Sequence, residues 1–554
     1  MFDFYTHNKP QIAHKEVLCD SLTPLSVLFV LKAKVLLESA YNETGKDRYS
    51  LVILNEAFRV YKEEGIHYLV VKGAKTPLHQ ALQGYLTSEN IKKSLGIRAD
   101  SVDFTESRES KGADSKQGFL ENLAIVRSLA PKPNAEQSPH LPLDLPLPLG
   151  GAGYIGYEFF AEIENVEFSN PPLYNAPECG FIFGRDFLIF DHLFDRLHIV
   201  SVSYAYEKEA IDVAERVASI AKKLESLNVA SSSLESTPDS QAQGYEIQNA
   251  TSQKEYEIMV EKIKDSIYKG DLLQCVPSQS MQVKSPIPPL QAYRNLRHQN
   301  PSPYMFYYDF DDFVILGASP EIMIRLKTSD EISHFILRPI AGTRPRGKSV
   351  AQDLELEKEL LNDEKENAEH LMLLDLARND AGKVSVGGGV SVIARNKIER
   401  YSRVMHIVSS VQGELDSKRF AKRDALKAAF PAGTLSGAPK IAAIEMIESL
   451  ESTRRGVYGG AIGYFTQNED MDFAIAIRSA VYQNGVYYMR SGAGVVQDSN
   501  PRAEYLETQN KIQSLLDMLR GQNEVEQGKV KQNQGKVKQN NGGRNKKGLK
   551  EGVE

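Results

Sequence analysis

Two helical segments carrying paired carboxylates constrain this chain more than anything else in it. Between Asp363 and Asp380 the residues from Ala368 to Ala377 are apolar nearly all round, which predicts a buried helix. Its first turns nevertheless hold Glu366, Glu369 and His370, and carboxylates are almost never buried without a partner. A second segment from Asn500 to Lys511 repeats the device, with Asn500 as N-cap, Pro501 as first helical residue, Gly521 as the stop, and Glu504 and Glu507 between. Glu-x-x-Glu spacing puts both carboxylates of each helix on one face. Two such faces opposed make a hard, oxygen-only site of the kind Mg²⁺ accepts. The same spacings suit a capping box at Asp363 and Glu366 and a surface ion pair between Glu507 and Lys511. Taken alone, the pairs leave both readings open.

Bulk properties exclude several classes. A net charge of −7 over 554 residues offers no overall basic footprint for nucleic acid. No apolar run approaches membrane-spanning length, and the N-terminus lacks the charged and apolar blocks of a signal peptide. Cys19, Cys179 and Cys275 are too scattered for a disulfide framework or a zinc site. The expectation is a cytoplasmic protein with neither nucleic acid nor membrane as partner.

Along the chain, Tyr49–Leu54, His67–Val71, Phe181–Tyr204, Phe313–Leu316 and Phe335–Ile340 have strand composition, and residues near 25–40 mix strand and helix signals. Glu207–Leu227 and Glu255–Gly270 have helical periodicity, the latter ending at glycine. The Pro-rich stretch 131–148 reads as exposed loop, Leu149–Tyr157 as tight glycine packing, and Gly387-Gly-Gly389 as a turn. Ser231–Asn249 is polar enough to be a linker. This divides the chain into an N-terminal region 1–245, a region 246–520 holding the carboxylates, and a polar tail 521–554. In the tail Gln527–Asn533 repeats at once as Gln534–Asn540, with too little apolar mass to order.

The 246–520 region resembles the chorismate-utilising enzymes, specifically anthranilate synthase component I. The motifs are Gly317-Ala-Ser-Pro-Glu321, Arg338-Pro-Ile-Ala-Gly-Thr-Arg-Pro-Arg-Gly347, Ala368-Glu-His370 with Asp375–Asp380, and Phe430–Lys440. Gly459-Gly-Ala-Ile-Gly-Tyr464, Ser491-Gly-Ala-Gly494 and Arg502–Glu507 complete the set. The resemblance implies an α+β fold, β-sheets packed in a sandwich with surrounding helices, and a Mg²⁺-dependent reaction of chorismate. It assigns Glu369 and Glu507 as metal ligands with Glu366 and Glu504 behind them, Glu321 as general acid, and His406 as the histidine of the later pyruvate elimination, beside Thr343. A lone histidine among apolar residues also suits a satisfied core position. Gly342, Thr343, Thr434, Tyr464, Arg478, Gly492, Ala493, Gly494 and Lys511 become substrate contacts. Four carboxylates would repel a dicarboxylate unless a cation inverts the local charge. Arg478 offers a bidentate fork to a carboxylate, and its place in the apolar run Phe473–Val481 argues against a surface ion pair.

Two positions choose among the family's reactions. Relatives that form 4-amino-4-deoxychorismate carry a lysine nucleophile where this chain has Ala341, and relatives that add water at C2 carry a lysine base where it has Gln274. Neither residue can serve as a base, so the incoming group must already be nucleophilic, as ammonia is. The resemblance therefore implies anthranilate and pyruvate as products, in the first step of tryptophan biosynthesis. No cysteine sits in the turn that glutamine amidotransferases use, which implies a separate glutamine amidotransferase subunit, component II. The region 1–245 implies a regulatory, tryptophan-binding role. Leu36-Leu-Glu-Ser39 together with Pro303, Tyr304, Met305 and Phe306 resembles the family's tryptophan feedback site, although Met305 and Phe306 also suit ordinary core packing. A di-metal carboxylate oxidoreductase would want Glu-x-x-His on two helices, and the second helix has no histidine. A catalytically dead amino-acid sensor should lack Glu321 or a metal carboxylate, and all are present.

Overall fold

The computed structural model describes residues 2–4, 6–19, 22–39, 48–95, 118–133, 140–142, 144–230, 244–401 and 404–520. The repeat-bearing tail, Gly521 and most of the Ser/Gln-rich stretch lie outside them.

Two long strands rich in β-branched and aromatic residues, Tyr49–Glu63 and Cys179–Asp191, pair antiparallel, and their register slips around Asn55. Such irregularities bend a strand, and the bend lets this pair serve two layers. Cys179–Ile182 pairs with Ala152–Ile155, whereas Asp186–Asp191 pairs with Arg196–Val202. From Ala152–Ile155 one layer continues through Ala461–Phe465, Met471–Ile475, Ile322–Ser329 and Ile332–Leu337 to Val404–Leu415. The other runs from Tyr49–Glu63 through Val35–Glu38, Tyr304–Asp309, Val314–Ser319, Ser479–Gln483 and Val486–Gly492 to Ser278–Lys284.

Side chains of both layers share one core that includes Phe58, Tyr154, Phe181, Phe310 and Phe473. Helices Pro24–Leu31, Val213–Ala230, Pro289–Gln299 and Pro501–Asp517 bury apolar stripes in a second core with strand residues such as Leu36, Met305 and Leu316. This is the α+β sandwich with surrounding helices that the sequence implied. Strands from both sides of residue 245 pair with each other: Glu38 lies opposite Met305, and Tyr154 opposite Ile462.

Local expectations hold unevenly. Asp363 caps the helix Glu364–Gly382, its carboxylate accepting the Glu366 N–H at 3.1 Å, and Asn500 caps Pro501–Asp517 through the Ala503 N–H at 3.0 Å. The first helix is not buried all round. It rests on sheet strands by one stripe of His370, Leu373, Leu374, Ala377 and Ala381, and Leu371 is 45% exposed. The helix expected from Glu207 starts only at Val213, because Glu207 is drawn off to pair with Arg185 and to accept the Tyr204 N–H. Gly387–Gly389 is no turn between elements. It lies inside the strand Ser385–Arg400, where the register slips between Ser385 and Val390 and Gly388 takes φ +79°. The glycine-dense segment is the packing device expected: a β-carbon at Gly153 would stand 1.9 Å from the Gly180 carbonyl oxygen.

Candidate active site

The two carboxylate-bearing helices bring their acidic turns into each other's field. Burial first, then Glu366 and Glu507, raises the Glu369 carboxyl above its ordinary range, with Lys365 and a hydrogen bond from Gln274 opposing. Glu504 is raised likewise by burial and by Glu507. Each carboxylate carries a donor: Gln274 Nε2 on Glu369 at 2.9 Å, Arg344 on Glu366 at 3.4 Å, Lys511 on Glu507 at 2.7 Å, and the Ser499 hydroxyl on Glu504. Among the described residues no three His, Cys, Asp or Glu side chains close on one metal-sized point. Repelling carboxylates with only oxygen to offer are nonetheless the donor set a hard divalent cation takes. His370 stands outside this set. It is buried against the Ser409 hydroxyl at 2.6 Å, and burial pushes its pKa down to about 4.

Across from this cluster sits a carboxyl of a different kind. Glu321 follows the strand Val314–Ser319 and is 7% exposed, and the Thr434 hydroxyl donates to its Oε1 at 2.8 Å. Its backbone carbonyl accepts the Ile475 N–H at 3.0 Å. Burial pushes the Glu321 pKa up to about 7, against the Thr434 hydrogen bond and the charges of Arg478 and Lys511. Near neutrality this group therefore holds a proton it can give.

The half-buried Arg478 guanidinium makes no ion pair or side-chain hydrogen bond among the described residues, and burial pulls its pKa below the usual range. A desolvated, unpaired cation calls for an anion. The glycines nearby are closely packed. A β-carbon at Gly492 would stand 2.7 Å from the Pro277 carbonyl oxygen and 3.2 Å from the Tyr458 hydroxyl, and one at Gly494 2.7 Å from Gln274 Nε2. Only glycine leaves room there for the flanking groups, with Ala493 buried between and Lys511 donating to the Gly492 carbonyl at 2.8 Å.

His406 stands on the strand Val404–Leu415, opposite the Ala341-Gly-Thr343 bend, where Gly342 takes φ +65°. Its Nδ1 lies 2.8 Å from the Gly342 carbonyl oxygen and 3.1 Å from the Thr343 hydroxyl. A carbonyl only accepts, so Nδ1 carries the hydrogen and Nε2 is left as a bare acceptor. Burial, aided by Arg478 and Lys511, lowers the His406 pKa to about 4. The ring is neutral at physiological pH, as a base must be.

Tyr464 departs from expectation. It lines a separate cavity of about 300 Å³, together with Glu38, Ser39, Pro303, Tyr304, Met305 and Phe306. The strand Ala461–Phe465 edges this cavity, and Gly463 and Asp472 line it as well. The tyrosine beside Arg478 is Tyr458, which interacts electrostatically with Arg478 and whose hydroxyl lies near Gly492. Sequence reading missed it, although it immediately precedes the Gly459-Gly460 pair that was singled out. All five residues read as an amino-acid site share the one cavity.

Known proteins resemble this chain over most of its length. Residues 85–517 match the family model for chorismate binding enzyme. Anthranilate synthase component 1 of Spirochaeta aurantia is 37% identical over 503 residues, 90% of this chain and 94% of that one. The Neisseria meningitidis serogroup B protein of the same name is 44% identical over 392 residues, 69% of this chain and 77% of that one. The crystal structure of anthranilate synthase component I from Streptococcus pneumoniae superposes with a TM-score of 0.67 at 30% identity, covering 90% of this chain and 99% of that one.

Proposed function

Since the chain belongs to the chorismate-binding enzymes, in the group of anthranilate synthase component 1, we propose that it converts chorismate and ammonia into anthranilate and pyruvate. The observation that carries this reading is the buried Glu321, its carboxyl pushed up to about 7 by burial, close to an Arg478 that makes no ion pair or side-chain hydrogen bond among the described residues. Arg478 and the Gly492–Gly494 backbone take the substrate's carboxylates, with the Tyr458 hydroxyl beside them. Glu369 and Glu507 would hold Mg²⁺ directly, with Glu366 and Glu504 behind. Bound there, the cation supplies the positive charge that lets a dicarboxylate approach and polarises the ring.

Ammonia forms the C–N bond at C2 as the ring double bonds shift and the C4–O bond breaks. Glu321 gives its proton to the departing oxygen, which leaves as water. The ammonium formed at C2 gives up one proton, which restores the acid at Glu321. His406 Nε2 then takes the proton at C2 while the enolpyruvyl C–O bond breaks and the ring becomes aromatic. The released enolate gains a proton at its methylene carbon to become pyruvate. Ala341 and Gln274 provide no lysine at either position where relatives carry a nucleophile or base, which favours ammonia over water.

Ammonia must come from elsewhere. The Cys179 and Cys275 thiols are buried and pushed up by burial, and Cys19 donates to the Leu22 carbonyl, so none has the setting of a glutaminase nucleophile. A separate glutamine amidotransferase subunit supplies it in this reading. The purified chain with Mg²⁺ and ammonium should therefore turn chorismate into a fluorescent anthranilate product, and glutamine should not replace ammonium. Glutamine-dependent turnover by the pure single chain would end the partner claim.

The second cavity is the tryptophan site in this reading, and its occupancy inhibits. Ser39 meets the ligand's polar end, while Met305 and Phe306 contact the indole. Ser39→Ala or Met305→Thr should raise the inhibitory tryptophan concentration ~10–100-fold, the equivalent of one charge-assisted hydrogen bond. Uninhibited turnover should stay at the wild-type level. Inhibition curves that coincide for wild type and both variants would remove tryptophan from this cavity.

A further inference from the structure

Behind the reacting groups lies a buried charge cluster that the reaction does not use directly. Glu451, just past the helix Lys440–Leu450, is 5% exposed and accepts five donors. These are the Ser278 N–H and hydroxyl, both at 2.8 Å, Arg455 Nε at 3.1 Å and Nη2 at 2.6 Å, and Arg490 Nη1 at 2.8 Å. Arg490 Nη1 also donates to the Ser278 hydroxyl at 3.0 Å and its Nη2 to the Thr453 hydroxyl, while its Nε meets no partner among the described residues. Arg490 reaches the Thr453 and Arg454 carbonyls at 2.8 and 3.1 Å.

Arg455 reaches further. Its Nη1 donates to the Leu435 carbonyl and its Nη2 to the Val276 carbonyl, each at 2.7 Å. Leu435 adjoins Thr434, the donor to Glu321. Val276 lies two residues beyond Gln274, the donor to Glu369. Both segments are themselves tied together, Gln274 pairing with Ala438 and Cys275 with Gly437, while Cys275 and Val495 exchange bonds at 2.8 and 3.1 Å just past Gly494. The Arg455 guanidinium also lies 5.8 Å from the Tyr458 ring. The turn carrying Tyr458 is pinned from the other side, by Glu158 accepting the Arg455 N–H at 2.7 Å and by the Tyr174 hydroxyl accepting the Val457 N–H at 2.7 Å.

We propose that Arg455, held by Glu451 and Arg490, is a positioning residue that sets the Thr434, Gln274 and Tyr458 groups in one register and thereby the rate of the chemical step. The proposal rests on the reaction assigned above. One planar fork spans two carbonyls on different segments while also holding Glu451, an arrangement of three nitrogens that a lysine's single ammonium does not reproduce. Displacement of a reacting group by about 1 Å, even from a distant change, costs on the order of 10²-fold in rate.

The test compares the full-length chain with Arg455→Lys, Glu451→Gln and Thr434→Val, using chorismate, Mg²⁺ and excess ammonium from pH 6 to 9. Rates are expressed per folded molecule, from near-UV circular dichroism. Arg455→Lys and Glu451→Gln should lower kcat about 10- to 100-fold with the chorismate KM within about threefold. The alkaline limb of kcat/KM should also move upward in both, in the direction shown by Thr434→Val. Glu321 faces Thr434, Arg478, Lys511 and Tyr401, and only the Thr434 bond is altered, so its loss destabilises the carboxylate form. A merely structural role would change the folded fraction and leave rate per folded molecule and pH profile as in wild type, and that result overturns the proposal. Should Arg455→Lys fail to fold, Glu451→Gln decides by the same two readouts. A wild-type chain that leaves chorismate untouched would instead refute the reaction itself.

Discussion

Glu321→Gln should consume almost no chorismate, with a loss on the order of 10²–10⁴-fold, whereas His406→Met should consume it and stall. The amide is close in size to the acid it replaces but has no acidic proton to give the departing C4 oxygen, so no C–N bond should form. His406 has no part in that step. In the proposed reaction its bare Nε2 acts on the C2 proton afterwards, so its removal should leave amination running and let 2-amino-4-deoxyisochorismate accumulate. Chromatography of quenched reactions with excess ammonium follows chorismate, intermediate and anthranilate separately. The wild-type kcat/KM should decline on the alkaline side with an apparent pKa near the Glu321 value of about 7, because the acid works only while protonated. A His406→Met enzyme that blocks chorismate consumption as fully as Glu321→Gln would defeat this division of labour. So would intermediate left behind by the few turnovers of Glu321→Gln.

Glu369→Gln and Glu507→Gln should each remove most activity, and Glu366→Gln and Glu504→Gln should lose less. The first pair gives up formal charge at the metal, while groups behind the ligands shift affinity or activity by ~10–100-fold. Structural roles alone would rank these residues differently. Glu507 is 52% exposed along its side chain and pairs with Lys511, a contact worth little in isolation, whereas Glu504 is nearly buried. A purely structural account therefore expects Glu504→Gln to be the costlier of the two. Calorimetric Mg²⁺ titration separates the cases, since Glu369→Gln and Glu507→Gln should bind the metal more weakly even when folding is intact. Wild-type Mg²⁺ binding in all four variants would show that these carboxylates are not the ligands.

What could be read from the sequence follows how local the determining physics is. Both carboxylate helices were legible because caps, proline and spacing act within a few residues; Asp363 and Asn500 cap as expected. The sandwich was legible through its strand runs and family motifs. Burial was not: Leu371 looks like core in a run of apolar residues, and only the sheet beneath decides which stripe is covered. Tyr464 was misplaced for a related reason. Side chains alternate to the two faces of its strand, and sequence does not reveal which cavity that strand borders. Tyr458 escaped notice because its neighbours in space, Arg478 and Gly492, are far from it in sequence. The Arg455 cluster was silent altogether, since its carbonyl partners at Val276 and Leu435 carry no side-chain signature.

One strand described above joins the two cavities. Asp472 and Ala474 line the one that holds Ser39 and Met305, and the next residue, Ile475, gives its N–H to the carbonyl of Glu321. Under the proposed inhibition, adjacent residues of one hydrogen-bonded ribbon would carry the occupant's effect to the acid. Linkage then limits and symmetrises the coupling. An occupant that favours one setting of this strand a hundredfold reweights it by ~2.7 kcal/mol and no more, however tightly it binds. By reciprocity, whatever the substrate does to fix the setting at Glu321 changes the occupant's affinity by the same factor.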